Sequence, residues 1–348
     1  MTKAVNIAQY GNVSPSWRNR IINGAMVIDQ RNAGASVTNI SGNGYTLDRW
    51  FTSTSQASKF TIQQNAGSVT PPTGFKNYLG ITSSSAYSVL STDFFALVQA
   101  IEGLNVADLG WGASGAQSVT LSFWIRSSLT GTFSGVISNG AFDYQYPFTY
   151  TISSANTWEQ KTITLTGPTA GTWLTTNGVG IYVYLNIGAG SSVVAASGGA
   201  WGAQTVRGVT GSQSVVGTNG ATWYITGVQL EVGTSATNFE YRDYGRELIM
   251  CQRYYQTSAA YYAFANNSTI VTISTVFPVA MRTGPTMSIY SSVLRLSDNS
   301  ADYTSSGAFS SVSAYSSGVR FSQAGYSGLT AGKFYIGYGD LLAANAEL

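Results

Sequence analysis

The strongest constraint on how this chain folds is a two-residue rhythm of apolar and polar side chains. In Val119-Thr120-Leu121-Ser122-Phe123-Trp124-Ile125-Arg126, the residues Val119, Leu121, Phe123 and Ile125 fall on one face of an extended strand. The same alternation runs through Thr162-Ile163-Thr164-Leu165-Thr166. It returns in residues 179–185, where aliphatics take one face and Tyr182 and Tyr184 the other. Residues 221–231 read as another long strand, and Gly227 inside it predicts a bulge. Clusters of Gly, Ser and Asn separate these runs and supply turns. Period-2 strands joined by polar turns predict an all-β, antiparallel sandwich.

These signals run from Arg18 to about Tyr241, with one interruption. After Ser91-Thr92-Asp93, the residues Phe94, Leu97, Val98, Ile101 and Leu104 have helical spacing. Thr92 or Asp93 could cap that helix, and Gly103 lies near its end. Residues 188–220 are rich in Gly, Ser and Ala, with Trp201 and Arg207 as the single aromatic and single charge. They read as extended surface loops anchored by Trp201, Val206 and Val215-Val216, with contact to a neighbour or ligand as their role. Residues 1–17 read as an arm without a core of its own. Residues 243–255 are the most charged stretch and read as a short helical linker, with Cys251 a buried small hydrophobe. From 256 to 348, short strands such as 268–274, 287–290, 293–296, 318–321 and 334–338 predict a smaller C-terminal β-sandwich.

Composition then limits the chemistry. None of the 348 residues is histidine, which excludes Ser-His-Asp and Cys-His nucleophile systems and His-based metal centres. A single cysteine excludes an intrachain disulfide and a thiolate metal cage. Charged residues make up 9% of the chain, against about 25% in ordinary soluble domains. A net charge of +2 carries no nucleic-acid footprint. No apolar run approaches the roughly 18 residues of a membrane span, and the N-terminus has no apolar core of a signal peptide. Neither membrane insertion nor secretion is therefore expected. No Gly-x-x-x-x-Gly-Lys is present, and Gly131-Thr132-Phe133-Ser134-Gly135 does not fit a nucleophile elbow. The 15 acidic residues show no local pairing that would favour a glycosidase. The chain reads as a non-enzyme without a cofactor or metal.

Aromatic side chains are what remains for recognition, at 13% of the chain. Their faces bind sugar C–H groups, while their polar edges and nearby amides bind hydroxyls. Candidates are Tyr144, Tyr146, Trp173, Tyr182, Tyr184, Trp201, Tyr261 and Tyr262. Tyr303, Tyr315 and Tyr326 stand out as glycan contacts, because their Ser/Gly-rich surroundings predict exposure.

Several motifs resemble a phage tail-fibre and virion-appendage family. They are Arg20-Ile21-Ile22-Asn23-Gly24-Ala25-Met26-Val27-Ile28-Asp29-Gln30-Arg31, Tyr45-Thr46-Leu47-Asp48-Arg49-Trp50 and Asn156-Thr157-Trp158-Glu159-Gln160-Lys161. The closing stretch from Ile225 to Glu231, then Tyr241-Arg242-x-Tyr244-Gly245 and Cys251-Gln252-Arg253-Tyr254-Tyr255, is the most specific. The resemblance covers about residues 18–255. It implies that residues 18–242 form a jelly roll like that of carbohydrate-binding modules. Many such modules hold calcium through an Asp in the final strand; here that stretch is Thr226-Gly227, and no calcium site is expected.

The resemblance implies a homotrimeric appendage in the virion that adsorbs to host surface glycans. The N-terminal arm, through Val5, Ile7, Tyr10 and Trp17, would dock to other virion proteins, and residues 256–348 would form the receptor-binding tip. Low charge suits close packing of identical subunits, where buried like charges are costly. The alternative is a capsid-decoration, head-fibre or collar protein without receptor binding. A polysaccharide-degrading spike would need β-helix repeats, which the sequence lacks.

Overall fold

A computed structural model describes residues 18–289, 294–298, 300–305, 307 and 309–348. The arm residues Val5, Ile7, Tyr10 and Trp17 lie outside them, as do Tyr290 and Val293. The chain forms two compact units, the first ending at Arg242 and the second spanning Asp243–Leu348.

The first unit is a jelly-roll-like sandwich of two antiparallel sheets. One has six strands, in the order Val37–Thr38, Phe60–Gln64, Leu79–Ser83, Thr222–Val232, Val119–Ser127 and Glu159–Leu165. The other has seven: Gly202–Ala203, Tyr144–Ile152, Gly131–Asn139, Val179–Ala189, Phe94–Glu102, Trp50–Thr54 and Gly42–Leu47. The alternation in the sequence produces the core. Leu121, Phe123, Ile125, Trp223 and Ile225 point in from the first sheet; Phe95, Leu97, Ile137, Val183 and Leu185 point in from the second. At Gly227 (φ 61°) the register slips between Thr226 and Gln229, so the expected bulge is present.

The expected helix after Asp93 is instead the strand Phe94–Glu102, paired with Val179–Ala189 on one side and Trp50–Thr54 on the other. Phe94, Leu97, Val98 and Ile101 fit a helical period, but Phe95, Ala96 and Ala100 between them are apolar too. Every residue from Phe95 to Glu102 is buried. A continuous apolar run covered on both faces is the mark of an interior strand, and periodicity alone does not separate it from a helix. Only two single-turn 3-10 segments follow, Gly103–Asn105 and Ala107–Leu109.

The motifs that carry the family resemblance knot the ends of this unit together. Asn23 takes a left-handed conformation (φ 58°), and its side-chain oxygen accepts from the N–H groups of Val27 and Ile28 at 2.9 and 3.0 Å. Its amide donates to the carbonyls of Ile28 and Asp48, while the Trp50 indole donates to the Asn23 carbonyl. Gly24 lies so close to the last strand that a Cβ there would sit 2.1 Å from the Val228 carbonyl oxygen. Asn19 bridges to Val228 and Leu230, and Arg242 donates to the carbonyls of Asn19 and Ile21. These buried polar groups are satisfied by backbone partners from distant segments, which fixes one arrangement of the termini.

The second unit opens with the helix Tyr244–Gln252, whose N-cap Asp243 accepts from the Arg246 N–H at 2.9 Å. The helix buries Glu247 and Cys251, one turn apart, and ends before the expected boundary, since Tyr255 already begins the strand Tyr255–Ala265. The strands that follow form one connected eight-stranded antiparallel sheet. Its long last strand, Phe334–Asn345, pairs with Tyr255–Ala265 on one edge and with Thr286–Ile289 and Leu294–Ser297 on the other. Tyr261, Ile273, Leu294, Leu296, Phe321 and Tyr335 share its core.

Candidate functional site

The outer face of the seven-stranded sheet carries an unusual row of side chains. The cross-strand register aligns Tyr45, Phe51, Val98 and Tyr184, with Tyr182 two residues along from Tyr184 on the same face. These are the tyrosines that the period-2 pattern set opposite the aliphatics. A polar neighbour on this face, Asn186, is buried because a loop lies over it. That loop belongs to the Gly-rich stretch 188–220. Val209 N–H donates to Ser134 Oγ at 3.1 Å, Val206 N–H to Gln145 Oε1 at 2.7 Å, and Gln213 N–H to the Thr132 carbonyl at 2.7 Å. Gly208 makes this approach feasible: a Cβ there would lie 2.6 Å from Asn186 Nδ2 and 2.9 Å from Ser134 Oγ.

The loop covers part of the face, and a groove lies open beside it. The groove has a volume of about 280 Å³ and is lined by Asn43, Phe51, Ser53, Phe94, Val98, Gly140, Phe142, Tyr182, Tyr184 and Arg207. That is near the small end of ligand sites, roughly 300–1,000 Å³. Phe142 comes from the turn between Gly131–Asn139 and Tyr144–Ile152. Its φ of 60° is rare for a bulky side chain. Buried Asn139 imposes this conformation: its side-chain oxygen accepts from Asp143 and Tyr144 N–H, and its amide donates to Asp143 Oδ1 at 2.7 Å. Gly140 is required in the same turn, because a Cβ there would meet the Val179 carbonyl oxygen at 2.2 Å. The Phe142 ring stands 6.0 Å from Tyr182 and 5.7 Å from Tyr184.

Arg207 lies over the Phe142 ring and lines the groove with it. Its guanidinium carbon lies 3.9 Å from the centre of the Phe142 ring, 4.8 Å from Phe94 and 5.5 Å from Tyr184. Such cation–π contacts orient the group without neutralising it. Burial lowers the Arg207 pKa from its ordinary value. Burial raises those of Tyr182 and Tyr184, so both phenols are neutral donors at pH 7. The Tyr184 hydroxyl is buried beside Ser53 without a well-aligned hydrogen bond. The groove thus offers aromatic faces, neutral hydroxyls, an amide and one cation.

The three tyrosines expected at a C-terminal glycan surface have different environments. Tyr315 is exposed at the end of the strand Phe309–Tyr315. Tyr303 is half-buried against the core, with its ring 5.3 Å from Tyr335. Tyr326 is a correction: it is 3% exposed and a core residue. Glycines at 325 and 328, both at positive φ, fold its loop back tightly, and the ring becomes the loop's anchor. Of the other candidates, Tyr144, Tyr146, Trp173 and Trp201 gather with Trp111 in a partly buried aromatic stack, with Trp111–Trp173 at 4.7 Å. Tyr261 is core and Tyr262 is exposed. Arg207 and Phe142 escaped selection, although the isolated charge in the Gly-rich stretch was visible in the sequence.

Among the described residues, no group of three or more Cys, Asp or Glu side chains could hold a metal, and no helix is long and apolar enough to cross a membrane.

The sequence matches no protein-family model and no curated protein. Solved structures to which part of this chain is similar include the enzymatically active domain of tailspike protein 4 of bacteriophage CBA120. It is 12% identical over 62% of this chain with a TM-score of 0.34, and this chain spans about a fifth (21%) of that one. A carbohydrate-binding module designated CBM4 is 16% identical over 61% of this chain and 98% of its own, with a TM-score of 0.29. A family 11 carbohydrate-binding module of Clostridium thermocellum, in complex with a β-1,3-1,4-mixed-linked tetrasaccharide, is 9% identical over 58% of this chain and 97% of its own, with a TM-score of 0.28. Residues of the groove itself carry the functional reading.

Proposed function

We propose that this protein is a non-catalytic, glycan-binding appendage of a phage virion, and that the groove on the seven-stranded face seats the sugar. The observation that carries this reading is the convergence of Phe51, Phe142, Tyr182 and Tyr184 with Asn43 and Arg207 around one open cleft. Aromatic faces take the apolar side of a pyranose, and the hydroxyls, amide and guanidinium take its oxygens. The motif resemblance to tail-fibre proteins and the sparse charge of the chain support the virion setting and a homotrimer. Purified protein added to host cells before infection should block phage adsorption, and the Tyr182→Ala protein should not. Equal blocking by both proteins contradicts the reading.

A structural role without receptor binding, as a decoration, head-fibre or collar protein, draws on a different observation. Tyr262 (70% exposed), Phe334 (73%) and Ile336 (51%) line up on adjacent strands of the C-terminal sheet. An apolar row of this kind suits packing against another virion protein. Virions lacking the protein that adsorb normally would favour that role.

A further inference from the structure

We propose that the groove is selective for an anionic saccharide, one bearing a uronate carboxylate or a phosphate substituent held by Arg207. This inference rests on the reading of the groove as a glycan site. Three observations point to it. Arg207 makes no hydrogen bond or ion pair through its side chain among the described residues, its recorded contacts being the rings of Phe94, Phe142 and Tyr184. Among the described residues, no Asp or Glu lines the groove. Asp143, next to Phe142 in the chain, is engaged by the Asn139 amide at 2.7 Å. The exposed polar edge beside Arg207 is that of Tyr182, whose ring packs against Phe142 at 6.0 Å on the same wall.

A half-buried cation without a counter-ion is costly to hold, and an incoming oxyanion removes that cost. The guanidinium is planar and presents paired N–H donors, a geometry that matches carboxylate and phosphate oxygens. Contact with the Phe142 ring holds the guanidinium in place, while Tyr182 remains to pack the sugar ring. A neutral sugar would leave Arg207 desolvated and unpaired, which works against binding. The preference is therefore for charge on the sugar and not for affinity in general.

The test uses the full chain on an array of bacterial surface oligosaccharides printed in three forms. One is native; one has its uronates reduced to neutral sugars; one has its phosphates removed by hydrofluoric acid. Wild type should bind native acidic glycans and lose about 30-fold or more in affinity on the neutralised partner. The form whose neutralisation abolishes binding identifies the anion. Arg207→Gln should remove the difference between native and neutralised glycans, and Arg207→Lys should restore part of it. Thermal melts of both variants check folding. Equal binding of native and neutralised forms by wild type overturns the inference and leaves the glycan-site reading standing. An Arg207→Gln protein that melts normally and still discriminates also overturns it. Binding to no glycan in any form overturns both.

Discussion

Phe142 occupies a backbone conformation that its own side chain disfavours. Its φ of 60° costs about 1–2 kcal/mol for an L residue. Asn139 and Asp143 hold the turn there, and the result is a ring that walls the groove and stacks under Arg207. Phe142→Gly relieves the strain and deletes the ring, and the two effects on stability oppose each other. Its melting temperature is expected within a few degrees of wild type, with glycan binding lost. A variant that melts normally and binds normally contradicts the role given to the ring. At this scale the sequence was partly legible. Tyr182 and Tyr184 declared their face by alternation, whereas nothing local announces that Phe142 adopts a left-handed turn. Tyr326 shows the opposite error, since a Ser/Gly-rich neighbourhood predicts exposure while the glycines serve to fold the ring inward.

At the scale of elements, alternation revealed strands such as Val119–Ser127 and Glu159–Leu165, and failed for Phe94–Glu102, where consecutive apolar residues hide the two-residue period. Its first five residues, Phe94–Val98, are all apolar, packing the core on one face and lining the outer-face groove on the other. The loop that carries Arg207 was legible as anchored surface structure, but its docking on the sheet depends on Gly208 meeting Asn186 and Ser134, residues far away in the chain. Gly208→Val should lift this loop. Affinity for the glycan should fall by about 10-fold or more, with a smaller loss of stability than a core truncation, which costs about 2–5 kcal/mol. Surface binding measurements paired with denaturant unfolding check both halves of that expectation.

Across the whole molecule, the absence of histidine shapes the response to pH as well as the chemistry. No imidazole titrates between pH 5 and 8, so stability should be flat there. Below that range, buried carboxylates govern. Burial raises the pKa of Asp93, but hydrogen bonds from the Tyr87 hydroxyl, Leu90 N–H, Ser55 and Gln56 outweigh it, and the net shift is downward. A folded-state pKa below the unfolded value, about 3.9, adds stability above that pH and loses it as pH falls through the folded pKa. Thermal melts should therefore hold level from pH 8 to 5 and drop below about pH 4.

The aromatic groove of the first unit is the proposed meeting place of this protein and a glycan. Calorimetric titration of wild type and Tyr182→Ala with purified bacterial surface polysaccharides tests this site. Wild type should bind saturably and the variant at least about tenfold more weakly, with unchanged melting, from the missing ring contact. Binding of equal strength by both proteins would place the glycan elsewhere and contradict the account.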